Sequence, residues 1–441
     1  MRVGIIGAGA AGLAAGYDLA RAGNAVVIFE AAPFAGGQAA TIEVGGGRLE
    51  LGYHHLFTND TAMIELMDEL GIGGSLRWVP STVGTYAGGK IYPFVTPMDL
   101  LRFSAMPFRD RVNLGLVTLR LQRHRDWKIL EGVTAREWLE SHASRASYRV
   151  WWEPMLRGKF GRFHDQVGMP WLWGKIQTRV KSRKGLFGRE MLGYPVHSFD
   201  EIFTTLIAQV LKRGGAVRLS CPVKRVVVED GRAVGVEIES GGVRTTERFD
   251  AILSTVPSFE FPKLVDLPED YRKKLAAVHY LAAVVVILEL KSPLTGTYWM
   301  NIADRSVPFL GVIEHTNLMP PDLYGGSHVV YLTNYLDRAD PMFKMSQTEL
   351  VDTYLPHLSK FNPKFERSWV KRVHYNAVSA AQPIIGPGYS QRIPSHQTPI
   401  DRLWLANTTQ IYPEDRGTNY SVRMGREVAR MIRAASDTTA R

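Results

Sequence analysis

Three glycines near the start of the chain, Gly7, Gly9 and Gly12, have the spacing of a turn that could bind a diphosphate. They follow the apolar run "VGII" and open a helix-like run, and Glu30 ends the next apolar run. In such a turn the first glycine permits a sharp bend, the second lets backbone amides approach the diphosphate, and the third lets the helix pack on the sheet. The carboxylate of Glu30 would accept hydrogen bonds from a ribose diol. The pattern predicts a dinucleotide site and leaves open whether a flavin or a nicotinamide is bound.

The adjacent histidines His54 and His55, in "LELGYHHLFTND" (49–60), are a second feature that could do chemistry. Histidines of this kind serve as metal ligands, as a catalytic base or as the wall of a cofactor site. Consecutive residues of an extended segment point to opposite sides, and no third ligand is evident nearby. We therefore predict that no metal is bound here.

The elements that must position these residues follow an α/β pattern. Residues 1–30 are typical of a strand, a helix and a second strand. Residues 86–194 are rich in Trp, Arg, Met and Phe and mostly helical in pattern, and alternating helices and strands return from residue 195. We predict an α/β protein in which a Rossmann-like domain binds the dinucleotide and a discontinuous α+β domain binds the substrate. The first domain is predicted to comprise residues 1–85, 195–265 and 375–441, and the second residues 86–194 and 266–374.

Composition narrows the class of protein. Hydrophobic content of 45% and charged content of 22% are ordinary for a globular chain. No apolar run approaches the roughly 18 residues of a membrane span, and the apolar start is better explained by a strand and a helix than by a leader. Cys221 is the only cysteine, so neither an internal disulfide nor a cysteine-based zinc site is expected. The net charge of +10 comes without a nucleic-acid-binding signature, and we expect a cytoplasmic enzyme.

Two longer motifs carry a resemblance to a known family. "EAAPFAGGQAAT" places Gly36 and Gly37 just after Glu30, and "LWLANTTQIYPEDRGTNYSVRMGREVARMI" closes the chain with a strand, a loop and a helix. The chain resembles the flavin-dependent amine oxidase superfamily, which includes protoporphyrinogen oxidases, phytoene desaturases and, more distantly, UDP-galactopyranose mutases. The resemblance implies FAD and an amine-oxidase-like two-domain flavoprotein fold. Gln38 departs from the pattern, because the family commonly has an arginine there.

The resemblance also implies which residues touch FAD. Gly52 and His54 would face the flavin, His54 as a wall or hydrogen-bond donor or, alternatively, as an acid–base catalyst, while His55 would be structural or exposed. The helix that begins near Asn419 would point its amides at the flavin pyrimidine. The implied FAD contacts are Gly7, Gly9, Gly12, Glu30, Gly36, Gly37, Gln38, Gly52, His54, Val223, Thr255, Asn407, Thr418, Asn419 and Tyr420.

Substrate-side candidates come from the middle of the chain. Two basic stretches, "WWEPMLRGKFGRF" and "KIQTRVKSRKGLFGRE", supply Arg157, Arg179 and Arg183, together with Lys184. Arginines beside aromatic residues suit a phosphorylated or carboxylated ligand, although a solvated helix face gives the same pattern. Tyr298 lies in a segment that, in the family, roofs the flavin. Glu314 and His315 are candidates for an acid–base pair, or for a hydrogen-bonded strand end.

Residues 103–127, "FSAMPFRDRVNLGLVTLRLQRHRDW", mix apolar residues with arginines. Such a segment could be an interfacial helix that contacts a membrane and admits a lipid substrate. Its apolar positions do not form one clean stripe, which favours a helix packed in the substrate domain. The oligomeric state is left as monomer or homodimer.

These features support three functions. The first is an FAD-dependent dehydrogenase, desaturase or oxidase that transfers a hydride from a C–H bond of a small or lipid-like substrate, with or without an anionic group, to flavin N5. The second is a mutase-like isomerase that uses reduced FAD on a sugar nucleotide or glycosyl substrate. The third is a binding protein that keeps FAD as a structural element.

Overall fold

The computed structural model describes residues 1–183, 188–240 and 242–437, so Lys184 lies outside the described residues. Its strands are β1 (Arg2–Ile6), β2 (Ala25–Phe29), β3 (Thr41–Val44), β4 (Gly47–Glu50), β5 (Leu56–Phe57), β6 (Leu76–Pro80), β7 (Val83–Ala87), β8 (Lys90–Pro93), β9 (Met191–Pro195), β10 (Ala216–Arg218), β11 (Val223–Glu229), β12 (Arg232–Ser240), β13 (Val243–Arg248), β14 (Ala251–Ser254), β15 (Tyr280–Leu290), β16 (Trp299–Ile302), β17 (Gly311–Glu314), β18 (His328–Leu336), β19 (Val370–Pro383) and β20 (Leu403–Leu405). Its helices are α1 (Ala10–Arg21), α2 (Thr61–Glu69), α3 (Pro97–Arg102), α4 (Phe108–Arg123), α5 (Ala135–His142), α6 (Arg145–Ser147), α7 (Glu153–Phe160), α8 (Met169–Lys181), α9 (Asp200–Lys212), α10 (Phe261–Leu264), α11 (Glu269–Ala276), α12 (Gln347–Tyr354) and α13 (Thr418–Asp437).

A parallel sheet with the order β10-β2-β1-β14-β20 carries the glycine turn. Val3 and Ile5 of β1 face a core that includes α1, α9 and α13, while Ile6 faces a second core beneath β11, β12 and β13. Both faces of the sheet are therefore covered, which explains why its strands are continuous apolar runs. The carboxyl end of β1 opens directly into the turn at Gly7.

A mostly antiparallel sheet has the order β19-β15-β18-β17-β16-β7-β8 within the described residues. Its strand β15, "YLAAVVVILEL", is buried along its whole length because α12 packs on one face and other parts of the chain cover the opposite face. The helices α4, α5, α7 and α8 form a core that reaches Leu281 of β15 and Tyr335 of β18.

The predicted α/β class is confirmed by this combination of a parallel sheet, helices and a second mixed sheet. Three of the four predicted domain limits fall inside strands β7, β9 and β19, and the division into domains stays a prediction. None of the helices in the described part of the chain has the length and hydropathy that crossing a bilayer requires.

Candidate active site

The glycine turn between β1 and α1 is built as its spacing predicts. Gly7 has φ of +108°, and the Thr255 hydroxyl donates to the Ile6 carbonyl at 2.9 Å beside it. A Cβ on Gly12 would lie 2.0 Å from the carbonyl oxygen of Gly7, so only glycine lets α1 start this close to the turn. Gly9 is the N-cap of α1 and offers no side-chain cap. The amides of the first helical turn thus remain available to an anion.

Glu30 is fixed at the end of β2 on the same side. Its carboxylate accepts hydrogen bonds from the amides of Ala8 at 2.8 Å and Ala32 at 2.9 Å. The Cys221 amide donates to the Glu30 carbonyl at 2.8 Å, which brings the start of β11 at Val223 alongside. The predicted ribose and adenine contacts are therefore neighbours.

The second glycine pair closes over the first turn. Gly36 has φ of +102°, pairs with Gly9 in a short parallel bridge, and donates its amide to the Ala8 carbonyl at 2.9 Å. A Cβ placed on Gly9 would meet nothing nearer than the Cα of Gly37, at 3.8 Å. The two turns leave a space at the N-terminus of α1, and a side chain on Gly9 would fill this space.

The adjacent histidines point to different neighbours. His54 Nδ1 is 2.6 Å from the Gly52 carbonyl, to which it donates, and His55 Nδ1 is 3.0 Å from the hydroxyl of Tyr298. Burial lowers the pKa of His54 to about 4 and the pKa of His55 to about 3, so both rings are neutral near pH 7. Counting only the described residues, no group of three His, Cys, Asp or Glu side chains is placed to hold a metal ion.

The C-terminal motif places a helix end near these elements. Thr418 begins α13, the Asn419 side chain accepts from the Met63 amide at 3.0 Å, and Tyr420 packs on the core beneath the parallel sheet. The Asn407 side chain accepts from the Thr409 amide at 3.1 Å and also lies 3.4 Å from the Ser258 hydroxyl. It therefore holds the loop in place with its side chain, while its amide and carbonyl are bonded to Gln410, and its contact with FAD stays a prediction.

Glu314 and His315 do not form a pair. Three hydrogen bonds from Leu294 and Thr295 hold the Glu314 carboxylate, and His315 Nε2 lies 2.7 Å from the Tyr324 hydroxyl. The two side chains leave the strand end in different directions, and both are buried in the protein interior. Burial raises the pKa of Glu314 to about 7. The structure thus matches the alternative of a hydrogen-bonded strand end, and the fully buried Tyr298 is bound to His55.

The three candidate substrate arginines fall into two groups. Arg157 donates to the Ala303 carbonyl at 3.4 Å and lies 3.9 Å from Glu153. Arg179 lies 3.9 Å from Glu190, which also pairs with the backbone of Arg183. Arg179 and Arg183 thus share one neighbour, and the part of all three arginines in substrate binding stays a prediction.

A buried charged cluster, which was not predicted from the sequence, lies between the helices and the glycine turns. Asp415 sits in the loop before α13, and its Oδ2 lies 3.1 Å from Lys159 Nζ and 2.9 Å from Lys175 Nζ. Its Oδ1 accepts from Trp171 Nε1 at 3.1 Å and from Gln382 Nε2 at 3.3 Å. One carboxylate therefore links α7, α8 and β19 to the start of α13.

Arg416 extends this cluster to the predicted cofactor residues. Its guanidinium donates to Gln382 Oε1 at 3.1 Å, to Gln38 Oε1 at 3.3 Å and to the Tyr335 hydroxyl at 2.9 Å. None of these acceptors is a carboxylate. Arg416 thus places a guanidinium beside Gln38, the position at which the family commonly has an arginine.

Tyr335 is the most unusual group of the cluster. Its hydroxyl is 3.3 Å from that of Tyr53, which lies between Gly52 and His54, and Lys159 Nζ is 5.2 Å from the centre of its ring. Burial alone would raise the pKa of Tyr335, but the charges of Lys159 and Arg416 outweigh it and lower the pKa to about 8. Within this cluster, Tyr335 is therefore able to exchange a proton near neutral pH.

This arrangement fits a dinucleotide. Amides at the start of α1 are free for a diphosphate, Glu30 is held at the predicted ribose position, and Arg416, two residues before α13, reaches Tyr53 through the Tyr335 hydroxyl. A parallel sheet whose glycine turn fits a dinucleotide, joined to a second sheet and a helical layer, is an architecture typical of nucleotide-dependent oxidoreductases.

The family follows from comparison with known proteins. Residues 10–432 match the model of the flavin containing amine oxidoreductases, and the chain belongs to this family. A probable zeta-carotene desaturase from Synechococcus elongatus is 30% identical, over 92% of this chain and 93% of the relative. An oxidoreductase from Methanosarcina mazei has a similar fold, with a TM-score of 0.75, 19% identity and coverage of 98% of this chain and 100% of that chain. A reduced UDP-galactopyranose mutase also has this fold, with a TM-score of 0.76, 14% identity and coverage of 98% and 96%.

The resemblance to this superfamily is thereby confirmed, and the protein is a flavin-dependent oxidoreductase.

Replacing Gly9 by alanine is expected to weaken flavin binding while leaving the fold intact. The new Cβ has no protein atom nearer than 3.8 Å, but it occupies the space where the diphosphate approaches the backbone. Overpacking of about 1–3 kcal/mol corresponds to roughly a 5- to 150-fold increase in the dissociation constant. Flavin absorbance per protein after dialysis measures the loss. Gly12→Ala is the matched comparison: its Cβ would meet the Gly7 carbonyl, so it should lower the melting temperature of the flavin-free protein, which Gly9→Ala should not.

Proposed function

We propose that the protein is an FAD-dependent desaturase of a lipid-like substrate, in which Tyr335 removes the proton. The observation that carries the proposal is the position of Tyr335, bonded through Arg416 to Gln38 and directly to Tyr53, which belong to two segments expected to hold the flavin. The desaturase relative, 30% identical over almost the whole chain, supports the substrate class.

The chemistry requires that two hydrogens leave neighbouring carbons. FAD, when bound, would accept one of them as a hydride. Tyr335, as a phenolate, would take the other as a proton while the electron pair of that C–H bond forms the new double bond. Arg416 and Lys159 favour the anionic form of Tyr335, and Tyr53 donates a hydrogen bond to it.

The surroundings of Tyr53 suit an apolar chain. Its ring packs edge-on against Trp299, with ring centres 4.8 Å apart, and against Tyr331 at 6.2 Å. His54 is neutral, so it adds no charge to this wall. An apolar polyene could lie along these rings with a carbon next to Tyr335.

FAD is proposed over a shorter flavin because the chain supplies a complete position for the adenosine half. The amides of α1, the carboxylate of Glu30 and the start of β11 have no evident role with a flavin that lacks it. We also propose a cytoplasmic enzyme, since the single cysteine, Cys221, suits a reducing compartment.

The direct test supplies the purified holoprotein with zeta-carotene or phytoene in detergent, under nitrogen, with a quinone as the electron acceptor. Each new conjugated double bond shifts the absorption of the product to longer wavelength. Bleaching of the flavin on mixing, followed by the red-shifted product, supports the proposal. If neither polyene bleaches the flavin or is changed by it, the desaturase assignment is wrong.

A mutase-like isomerase is the second candidate, and the cluster itself favours it. Lys159, Lys175 and Arg416 place three cations beside one carboxylate, Asp415, which leaves positive charge for a sugar diphosphate. Its test is conversion of a nucleotide sugar by protein reduced with dithionite, followed by chromatography of the product. Turnover there without any acceptor would replace the desaturase assignment.

A further inference from the structure

Exposed apolar side chains are concentrated in one part of the molecule. Among the described residues, eight of the fourteen large apolar side chains that are exposed lie between residues 91 and 129. They belong to β8, α3, α4 and the turn after α4, which are consecutive along the chain. The eight are Ile91, Met98, Leu101, Phe108, Val112, Leu116, Leu119 and Ile129.

Helix α4 has two apolar faces. Leu114, Val117 and Leu121 are buried in the core that α4 shares with α5, α7 and α8. The other face, at positions 108, 112, 116 and 119, follows the i, i+4, i+8, i+11 spacing of one helix stripe and points to solvent. Phe108 is 63% exposed and Leu116 is 61% exposed. Because α4 has apolar stripes on two opposite faces, its sequence does not show one clean apolar stripe.

The exposed stripe is bordered by positive charge. Residues 90–129 contain eight Lys or Arg and three Asp, so their net charge of +5 is half of the chain's +10. Arg102, Arg109, Arg120 and Arg123 are exposed. Of the three acidic residues, Asp110 is buried and Asp99 is held by the amides of residues 95 and 96. The exposed Asp126 lies beyond the end of α4 and accepts from the Lys128 amide, so the outer face of α3 and α4 is cationic.

A basic groove opens beside the stripe. It has a volume of about 550 Å³, and its polar lining is Lys90, Tyr92, Ser104, Arg149 and Asp304, so two cations stand against one carboxylate. Lys90 and Tyr92 flank the exposed Ile91, and Ser104 follows α3, so the groove borders the apolar surface. Cationic and hydroxyl groups at such an edge match the phosphate of a lipid headgroup.

We propose that the stripe of α4 and the exposed residues of α3, here called the interfacial surface (Met98, Leu101, Phe108, Val112, Leu116 and Leu119), dock in the plane of an anionic lipid bilayer. Apolar side chains enter the boundary between headgroups and acyl chains, and the arginines bind lipid phosphates. A second copy of the chain fits less well, because the same surface would meet its own +5 charge. The inference rests on exposure and charge, and it stands apart from the identity of the substrate.

The experiment is flotation of the holoprotein with vesicles of phosphatidylcholine, alone and mixed with phosphatidylglycerol, at low and high salt. The protein should float with the mixed vesicles, and salt should weaken its binding. Phe108→Gln with Leu116→Gln should lower the binding constant by about tenfold or more, because two large side chains no longer enter the lipid. Arg109→Gln with Arg120→Gln should remove most of the preference for the anionic vesicles.

The matched control replaces exposed apolar residues elsewhere, Leu211→Gln with Val243→Gln, which should bind as the unchanged protein does. Flavin content and melting temperature, measured on every variant, show that folding is retained. The proposal is overturned if the holoprotein does not float, if neutral and anionic vesicles bind it equally, or if the control loses as much binding as the stripe variant. It is also overturned if sedimentation shows a dimer that the stripe variant abolishes, since a second copy would then cover this surface.

Discussion

Tyr335→Phe is expected to lower the turnover number by about 10²- to 10⁴-fold, the range that a positioned proton acceptor contributes. The ring stays in the cluster, so packing against Lys159 is kept and only the oxygen is lost. Flavin content should not change, because the Tyr335 hydroxyl reaches the expected cofactor residues only through Arg416 and Tyr53. Single-turnover bleaching of the flavin by the polyene measures the effect without product release.

The pH dependence separates a proton acceptor from a structural tyrosine. The phenolate form grows as pH rises through about 8, so kcat/KM should rise with pH below that value and level off above it. In Tyr335→Phe this rise of kcat/KM with pH should be absent. Arg416→Met removes a cation that lowers the pKa of Tyr335, so the rise of kcat/KM should shift to higher pH.

A control on the same sheet completes the design. Tyr375→Phe on β19 removes a half-buried hydroxyl from the sheet to which Tyr335 belongs, and it should leave rate and pH profile unchanged. Ultraviolet titration should show one tyrosine that ionises near pH 8 in the unchanged protein and in Tyr375→Phe, but none in Tyr335→Phe. If Tyr335→Phe keeps both the rate and the rise of kcat/KM with pH, Tyr335 does not take the proton.

The cofactor side of the site could be predicted from sequence because its signals are local. Gly7, Gly9 and Gly12 act through the conformation and packing of one turn, and Glu30 ends the strand that follows. A turn of this kind needs particular residues at fixed spacing, so the sequence shows it directly. The C-terminal helix was predicted from residue 419 and begins at residue 418.

The proton-exchanging side could not be predicted, because tertiary contacts create it. Tyr335 is one of several tyrosines on apolar strands, and nothing near it in sequence sets it apart. Its pKa falls because α7 brings Lys159, the loop before α13 brings Arg416, and the segment after β4 brings the hydroxyl of Tyr53. Conversely, Glu314 and His315 are adjacent in sequence, but Glu314 ends β17 and His315 starts the turn that follows, where different partners hold the two side chains.

The burial of residues in the segment around α4 could not be predicted from sequence for a different reason. A single stripe of apolar residues on a helix predicts which face is packed. Two stripes on opposite faces cancel each other, so the sequence shows no amphipathic pattern. The sequence could therefore not say which apolar residues of 103–127 are buried. The structure assigns Leu114 and Val117 to the core and leaves Phe108 and Leu116 exposed.

Asp415→Asn is expected to destabilise the protein by about 3–5 kcal/mol, the cost of removing one partner from a buried ion pair. Asp415 is 7% exposed at its side chain and holds Lys159 and Lys175, which are 19% and 32% exposed. Asparagine keeps the shape but leaves two ammonium groups without an anion. Chemical denaturation followed by flavin and tryptophan fluorescence measures the change. Asp352→Asn, which removes the surface pair with Arg367, should cost only about 0–1 kcal/mol.

The sign of the pH effect follows from the same contacts. Burial opposes ionisation of Asp415, but Lys159, Lys175 and Arg416 outweigh it and hold its pKa well below the usual range. Its contribution to stability is therefore complete above the pKa of an unfolded aspartate, about 3.9, and is lost as pH falls below that value. The unchanged protein should lose more stability than Asp415→Asn on acidification, so the difference between the two should shrink. A difference that stays constant down to low pH would mean that the charge of Asp415 does not contribute to stability, because the loss in Asp415→Asn would then be independent of ionisation.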